Sequence, residues 1–127
     1  MNKLLTTLLL LLSSPLALAN QFPVTVDSCG KPITFNQPPQ RAVINDLNMA
    51  EMAFALDLQN RIVGLTGITG WYKLTPEFKA AMGVIPELAP KYPALETLLA
   101  VRPDFFFAGW NYGMKIGGDV TPQTLAP

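Results

Sequence analysis

Six side chains that could hold a ligand lie in three loops, and each loop follows a predicted strand. The six residues are Asp46, Asn48, Trp71, Tyr72, Trp110 and Tyr112. Because the carboxyl ends of parallel strands share one edge of an α/β sheet, these loops should meet where such sheets bind ligands. Aromatic rings with a polar O–H or N–H form flat walls that suit a bulky ligand with a polar rim. The alternative is that some of these rings only cover the core of the domain.

The polar residues of the first loop have less specific roles. Asp46 could bind a cation directly, but a single carboxylate without companion ligands does not define a metal site. Asn48 precedes Met49 and Ala50, and Glu51 follows, so the Asn48 and Glu51 side chains can bond to each other's backbone N–H in a capping box. We therefore interpret Asn48 first as the N-cap of a helix and only second as a ligand contact.

The composition argues against catalysis. The chain has no histidine, which excludes a Ser/His or Cys/His pair and any imidazole metal ligand. It also lacks the glycine-rich phosphate loop and the nucleophile elbow of common α/β enzymes. An exported α/β enzyme that uses Asp46, Asp104 or Tyr112 is the alternative, although Asp104 should open a strand at the opposite edge of the sheet. We predict a protein that is not an enzyme and holds no metal or cofactor of its own.

Residues 1–19 have the pattern of a signal peptide. Lys3 precedes the apolar segment Leu4–Leu12, and the small residues Ala17 and Ala19 match a peptidase site, which predicts cleavage after Ala19. An N-terminal membrane anchor is the alternative, but the apolar segment is shorter than the roughly 20 residues that span a bilayer. We therefore expect an exported protein.

The exported part of the chain is nearly neutral and has one cysteine. Loss of Lys3 leaves eight basic and nine acidic residues, without the basic stripe that binds nucleic acid. Lys91 and Lys115 lie near the predicted binding edge and could pair with an anionic ligand, unless they are ordinary solvated lysines. Cys29 is either a half-buried free thiol or one half of a disulfide whose partner lies beyond residue 127.

The elements that must position the three loops alternate along the chain. Val24–Asp27 and Ile33–Phe35 alternate apolar and polar residues around a turn, which predicts a β-hairpin before a proline-rich link. Strands are then predicted near residues 43, 63, 84 and 106, with a helix in each interval. Short alternating elements of this kind predict a parallel βαβ sheet with right-handed crossovers.

The predicted helices have recognisable ends. Thr75-Pro76 supplies an N-cap and a first-turn proline for the second helix, and Gly83 suits its C-terminal end. The third helix is predicted from Pro93 to the stop before Pro103, with Glu96 off its apolar stripe. That stripe is formed by Leu95, Leu98 and Leu99.

Five segments together resemble one known family. They are Pro38–Val43, Asn48–Glu51, Arg61–Gly64, Tyr92–Glu96 and Arg102–Asp104. In order and spacing they are similar to the N-terminal lobe of class III periplasmic binding proteins, which serve iron–siderophore and vitamin B12 ABC importers. The resemblance implies two α/β lobes with the ligand between them. It assigns residues 20–40 to the hairpin and link, and residues 41–127 to an incomplete N-terminal lobe with the second lobe missing.

The same resemblance implies a function and partners. A monomeric periplasmic protein would capture an iron(III)-siderophore, or a related chelate such as cobalamin or haem, and deliver it to a transmembrane permease. The six loop residues would form the ligand wall, and Glu96 near a helix N-terminus would dock on the permease. An ordinary surface glutamate is the alternative for Glu96. A truncated fragment without an independent role is the alternative for the whole chain.

Overall fold

The computed structural model describes residues 22–28, 30–108 and 117–125. The predicted signal peptide, Cys29, Trp110, Tyr112 and Lys115 lie outside the described residues. The chain divides into two compact units, residues 1–38 and residues 39–127. No helix in the described part of the chain is long and apolar enough to cross a membrane.

The first unit contains the predicted β-hairpin. Strands β1, Val24–Ser28, and β2, Lys31–Phe35, pair antiparallel, and Gly30 at φ 75° makes the turn between them. The Asp27 carboxylate accepts a hydrogen bond from the Gly30 N–H at 3.0 Å, as is common in tight turns. Opposed side chains give the hairpin one face with apolar pairs and one face with the hydroxyls of Thr25 and Thr34 in contact at 2.8 Å.

The second unit is built on a parallel sheet of four strands. These are β3, Ala42–Asn45; β4, Ile62–Thr66; β5, Glu87–Ala89; and β6, Phe105–Phe107. Their order in space is β5-β4-β3-β6, and each neighbouring pair is parallel. All four residues of β3 are buried, as expected for the central strand of a sheet that is covered on both faces. The predicted α/β fold with a parallel βαβ sheet is confirmed.

In the described part of this unit, four helices accompany the sheet. They are α1, Leu47–Ala55; α2, Pro76–Met82; α3, Leu95–Val101; and α4, Pro122–Leu125. A short 3-10 turn, Gln59–Arg61, precedes β4. Helices α1 and α2 pack on one core cluster, where the Phe54 and Phe78 ring centroids are 5.4 Å apart. Leu98 of α3 packs with Val43 and Val120 in a second cluster. Two separate apolar clusters therefore hold the sheet.

Helix α2 has the predicted ends. The Thr75 hydroxyl accepts a hydrogen bond from the Phe78 N–H at 3.1 Å, and Pro76 occupies the first helical position. Gly83 ends the helix at φ 55°, a conformation that glycine adopts without steric strain.

The prediction of a strand at Val84-Ile85 is wrong. Val84 is fully exposed, Ile85 packs in the core, and strand β5 begins two residues later at Glu87. Pro86 has no N–H, but its carbonyl accepts a hydrogen bond from the Leu65 N–H at 2.9 Å and starts the pairing with β4. The position of β5 is therefore determined by its backbone pairing with β4. Its own side chains include both polar and apolar types and form no apolar run.

The predicted capping box of α1 is also wrong. The helix begins at Leu47 and its N-cap is Asp46, whose side chain accepts a hydrogen bond from the Asn48 N–H. The Asp46 N–H still pairs with the Thr66 carbonyl at 2.9 Å, and the chain turns at Asp46 with φ 85°. Because strand pairing fixes the turn at Asp46, Asn48 lies inside the first helical turn.

Helix α3 departs from its prediction at two positions. It begins at Leu95, with Ala94 as its N-cap, rather than at Pro93. Leu98 is buried as predicted, but Leu99 is 63% exposed and does not belong to the buried stripe.

The amino end of the sheet is held by a charged network that we call the basal lock, formed by Gln40, Arg41 and Asp104. The Asp104 carboxylate accepts hydrogen bonds from the Gln40 N–H at 2.8 Å and the Arg41 N–H at 2.9 Å. The Arg41 guanidinium donates to the carbonyls of Val101 at 2.7 Å and Arg102 at 3.2 Å. The lock therefore satisfies free carbonyls at the C-terminus of α3 while it joins the starts of β3 and β6.

Candidate ligand-binding site

The carboxyl ends of β3 and β4 are joined by side-chain and backbone hydrogen bonds. Buried Asn45 donates from Nδ2 to the Thr66 hydroxyl at 2.9 Å. Gly67 follows at φ 71°, and its N–H donates to the Ala89 carbonyl at 3.0 Å. A Cβ on Gly67 would lie 2.8 Å from Asn45 Nδ2, so only glycine fits this turn. The backbone beneath the loop edge is consequently fixed by three neighbouring strands.

Three aromatic side chains gather above these strand ends. Trp71 and Tyr72 come from the loop after β4, and Tyr92 comes from the loop after β5. The Trp71 and Tyr92 ring centroids are 5.9 Å apart in an edge-to-face arrangement, which aromatic pairs prefer. Lys91 Nζ lies 4.5 Å from the Trp71 ring centroid, in a cation–π contact. Trp71 is nevertheless 52% exposed, so a large part of its indole is available for contact.

Asp46 and Tyr72 form a polar pair beside the aromatic rings. The Tyr72 hydroxyl donates to Asp46 Oδ1 at 3.2 Å, with Oδ2 at 3.4 Å. Asp46 Oδ1 also accepts the bond from the Asn48 N–H at 3.2 Å. Loss of solvent and the nearby Asp46 carboxylate both raise the pKa of Tyr72 above its ordinary value. A phenol is protonated at neutral pH in any case, and here its O–H is bonded to Asp46.

These side chains surround one cavity at the carboxyl edge of the sheet. Its volume is about 310 Å³, and the described residues that line it are Asn45, Asp46, Trp71, Tyr72 and Tyr92. The volume is at the lower end of the range for sites that take small molecules. An apolar aromatic wall with a few polar groups suits binding of a flat or bulky molecule rather than a chemical step.

The structure brings together three of the six residues that the sequence singled out. Asp46, Trp71 and Tyr72 line the cavity, while Asn48 lies in α1 and is not among the lining residues. Ligand contact by the six stays a prediction. Sequence reasoning missed Asn45, which it assigned only to the end of a strand. It also missed Tyr92, because the preceding strand was predicted at Val84-Ile85, whereas β5 is Glu87–Ala89 and Tyr92 lies in the loop that follows it.

Metal-binding side chains do not cluster in the described part of the chain. Within residues 22–28, 30–108 and 117–125, no group of three histidine, cysteine, aspartate or glutamate residues could hold a metal ion. Asp104 lies in the basal lock at the other end of the sheet.

Glu96 is exposed in the first turn of α3. A short connection, residues 90–94, leads to this helix from the carboxyl end of β5. Because α3 starts where β5 ends, Glu96 belongs to the carboxyl edge of the sheet. The N-terminus of a helix carries a partial positive charge that favours a carboxylate in the first turn.

Comparison with known proteins identifies the class to which this fold belongs. No family model matches the chain, and no curated protein matches it. Five chains of solved structures do match, among them the following two. A periplasmic binding protein from Veillonella parvula DSM 2008 is 26% identical, with a TM-score of 0.54, over 68% of this chain and 29% of that one. An ABC-type Fe3+-hydroxamate transport system structure from Saccharomonospora viridis DSM 43017 is 25% identical, with a TM-score of 0.54. The match covers 74% of this chain and 34% of that one.

The chain has the α/β fold of part of a periplasmic binding protein. It covers about a third of the length of the two solved structures, at 29% and 34% of those chains. By description, the first neighbour is a periplasmic binding protein and the second belongs to a transport system.

Proposed function

We propose that this chain supplies one wall of the ligand site in the solute-binding component of an ABC importer. The protein captures an iron(III)-siderophore, or a related chelate such as cobalamin or haem, in the periplasm and delivers it to the permease. The observation that carries this proposal is the cavity lined by Asp46, Trp71, Tyr72 and Tyr92 at the carboxyl edge of a parallel sheet. The likeness to an Fe3+-hydroxamate transport structure supports the choice of cargo.

The chemistry of the cavity suits a chelate that brings its metal already coordinated. Trp71 and Tyr92 offer apolar ring faces to the carbon skeleton of such a ligand, and Tyr72 offers a polar group beside them. With no cluster of metal ligands in the described residues, the protein would contact the organic shell and leave the ferric ion to the chelator. Trp110 and Tyr112 extend this wall in our proposal.

Export and docking complete the proposed function. Cleavage after Ala19 releases a periplasmic, monomeric protein, with residues 20–40 and 41–127 as its hairpin segment and lobe. Glu96 docks on cationic residues of the permease, because its carboxylate is exposed in the first turn of α3.

The protein performs no chemical step in this proposal. Asp104, the one acidic candidate for catalysis outside the cavity, already accepts two backbone hydrogen bonds in the basal lock. The remaining described candidate, Asp46, accepts hydrogen bonds from the Tyr72 hydroxyl and the Asn48 N–H.

Fluorescence titration tests the proposal directly. Ferric desferrioxamine B, a ferric trihydroxamate, should quench the tryptophan emission of the purified protein in a saturable way. Metal-free desferrioxamine B serves as the matched control, since it has the same skeleton without the folded chelate. A linear, non-saturable response to ferric desferrioxamine B, haemin and cobalamin alike would refute the proposed cargo.

A further inference from the structure

A single carboxylate holds the turn that carries Trp71 and Tyr72. Glu87 lies in β5, and its Oε1 accepts hydrogen bonds from the Ile68 N–H at 3.1 Å and the Thr69 N–H at 2.8 Å. Its Oε2 accepts a third from the Thr69 hydroxyl at 2.6 Å. Hydrogen bonds to an ionised acceptor are shorter and stronger than those between neutral groups. Glu87 thus satisfies the first N–H groups of the turn as an N-cap side chain does for a helix.

The Ile68 peptide links this carboxylate to the aromatic wall. The Ile68 carbonyl accepts hydrogen bonds from the Trp71 N–H at 3.1 Å and the Tyr72 N–H at 2.9 Å. The Ile68 side chain is fully buried in the core. Residues 68–72 therefore form one compact turn, with Glu87 at its start and both aromatic residues at its end.

Gly70 fixes the same turn from a second direction. Its N–H donates to the Pro90 carbonyl at 2.8 Å, and a Cβ at this position would lie 2.3 Å from that carbonyl oxygen. The turn is consequently held by β5 through Glu87 and by the segment after β5 through Pro90. Both contacts come from outside the turn, one from strand β5 and one from the residue that follows it.

We propose that Glu87 is a positioning residue that fixes the 68–72 turn so that Trp71 and Tyr72 face the cavity. Glu87 is not one of the residues that line the cavity, so it acts on a ligand only through the turn. The effect on ligand affinity rests on the proposed function. The effect on the placement of Trp71 does not, and it can be measured without any ligand.

Four variants separate the contributions of charge, reach and hydrogen bonding. Glu87→Ala removes all three bonds, and Glu87→Asp keeps the charge but shortens the reach. Glu87→Gln is the conservative variant, because its amide oxygen can accept both N–H bonds while its NH₂ donates to the Thr69 hydroxyl. Thr69→Val removes only the hydroxyl bond. The chain has two tryptophans, so a Trp110→Phe background makes Trp71 the single emitter.

Acrylamide quenching and near-ultraviolet circular dichroism report the placement of Trp71. We expect Glu87→Ala to raise the quenching constant and to abolish the Trp71 dichroism band, with smaller changes in Glu87→Asp and Thr69→Val. Glu87→Gln should behave as the unsubstituted chain. With Trp110 restored, Glu87→Ala should weaken binding of ferric desferrioxamine B about tenfold, the effect of losing hydrogen bonds to a charged group.

The possible outcomes lead to different conclusions. If Glu87→Ala lowers the thermal midpoint but leaves quenching and dichroism unchanged, Glu87 only stabilises β5 and the inference is overturned. If that variant does not fold, unchanged quenching in both Glu87→Asp and Thr69→Val overturns it. If Trp71 moves in the variants while no protein, including the unsubstituted chain, binds the chelate, Glu87 positions the turn but the proposed cargo is wrong.

Discussion

The two ends of the four-stranded sheet use charged side chains for different purposes. At the amino end, the basal lock directs Asp104 and Arg41 onto backbone groups of the chain. At the carboxyl end, Asp46 bonds to the hydroxyl of Tyr72, and half-exposed Trp71 lies nearby. The first arrangement uses its charged side chains to bond backbone groups, whereas the second places a carboxylate, a phenol and ring faces beside an open cavity.

This difference separates stability from binding within one small unit. Parallel α/β sheets bind ligands beyond the carboxyl ends of their strands. Residues at the amino end can therefore contribute to stability without contacting a ligand. Substitutions at the basal lock should therefore change the free energy of unfolding without changing the cavity. Substitutions at the cavity should change ligand affinity, with little change in the free energy of unfolding at neutral pH.

The largest loss of stability is expected from Asp104→Ala. It removes two hydrogen bonds from backbone N–H groups to a charged acceptor, at 2.8 and 2.9 Å. Because Asp104 is exposed to water, we expect a loss of about 1–2 kcal/mol in the free energy of unfolding. Urea denaturation measures the loss, with Asp119→Ala, another exposed carboxylate in the same unit, as the control. A changed Trp71 emission in folded Asp104→Ala would show that the two ends are not independent.

Trp71→Ala should affect binding far more than stability. The indole is 52% exposed, so its removal should change the free energy of unfolding by about 0.5 kcal/mol. Loss of an aromatic anchor should weaken binding of ferric desferrioxamine B roughly tenfold. Leu99→Ala, which removes another exposed apolar side chain, is the matched control and should leave affinity unchanged. Equal affinities for the two variants would contradict the assigned wall.

Tyr72→Phe should have a small effect on stability that depends on pH. Folding raises the pKa of the Tyr72 phenol above its ordinary value of 10.0, through loss of solvent and the Asp46 carboxylate. This contribution is present below pH 10 and is lost as the pH rises through the folded-state pKa. Urea denaturation at pH 7 and at alkaline pH measures it. We expect the unsubstituted chain to lose this stability at alkaline pH and Tyr72→Phe to lack that loss.

The smallest expected effect is a change in the titration of Tyr72. Asp46→Asn removes a negative charge beside the phenol and should lower the Tyr72 pKa, while loss of solvent keeps it above its ordinary value. Tyrosine ¹³Cζ chemical shifts follow the three phenols of the chain separately, and Tyr72→Phe assigns the signal. An unchanged Tyr72 titration would show that Asp46 and Tyr72 are not in contact in solution.

Sequence reasoning predicted the sheet better than the details of its edge. The β3, β4 and β6 regions are short apolar runs between helix signals, and burial on both faces requires such runs. Strand β5 has Glu87 as its first residue, and no apolar pattern marks it. Its place is set by pairing with β4, a contact between distant parts of the chain. Local patterns do not record such contacts.

The same distinction applies to the candidate site. Asp46, Trp71 and Tyr72 could be selected because they are polar or aromatic residues in loops after strands. Tyr92 was missed because its loop depends on where β5 ends. The choice of Asp46 over Asn48 as the cap of α1 depends on a bond between the Asp46 N–H and the Thr66 carbonyl, which joins two strands. Glu87 was missed because its three partners lie about 18 residues earlier in the chain.

The tight fit of Gly67 against Asn45 has a thermodynamic consequence for any guest molecule. The main chain beside this contact is tied to neighbouring strands, because the Asp46 N–H bonds to the Thr66 carbonyl at 2.9 Å and the Gly67 N–H to the Ala89 carbonyl at 3.0 Å. A carbon added at Gly67 would also lie 2.8 Å from the Asn45 amide. Adjustment to different guests would then fall to rotations of the indole and phenol rings. Each immobilised side chain reduces the binding free energy by about 0.5–1.5 kcal/mol. Because this penalty is modest, the same main-chain surface would accept several ligands of similar size.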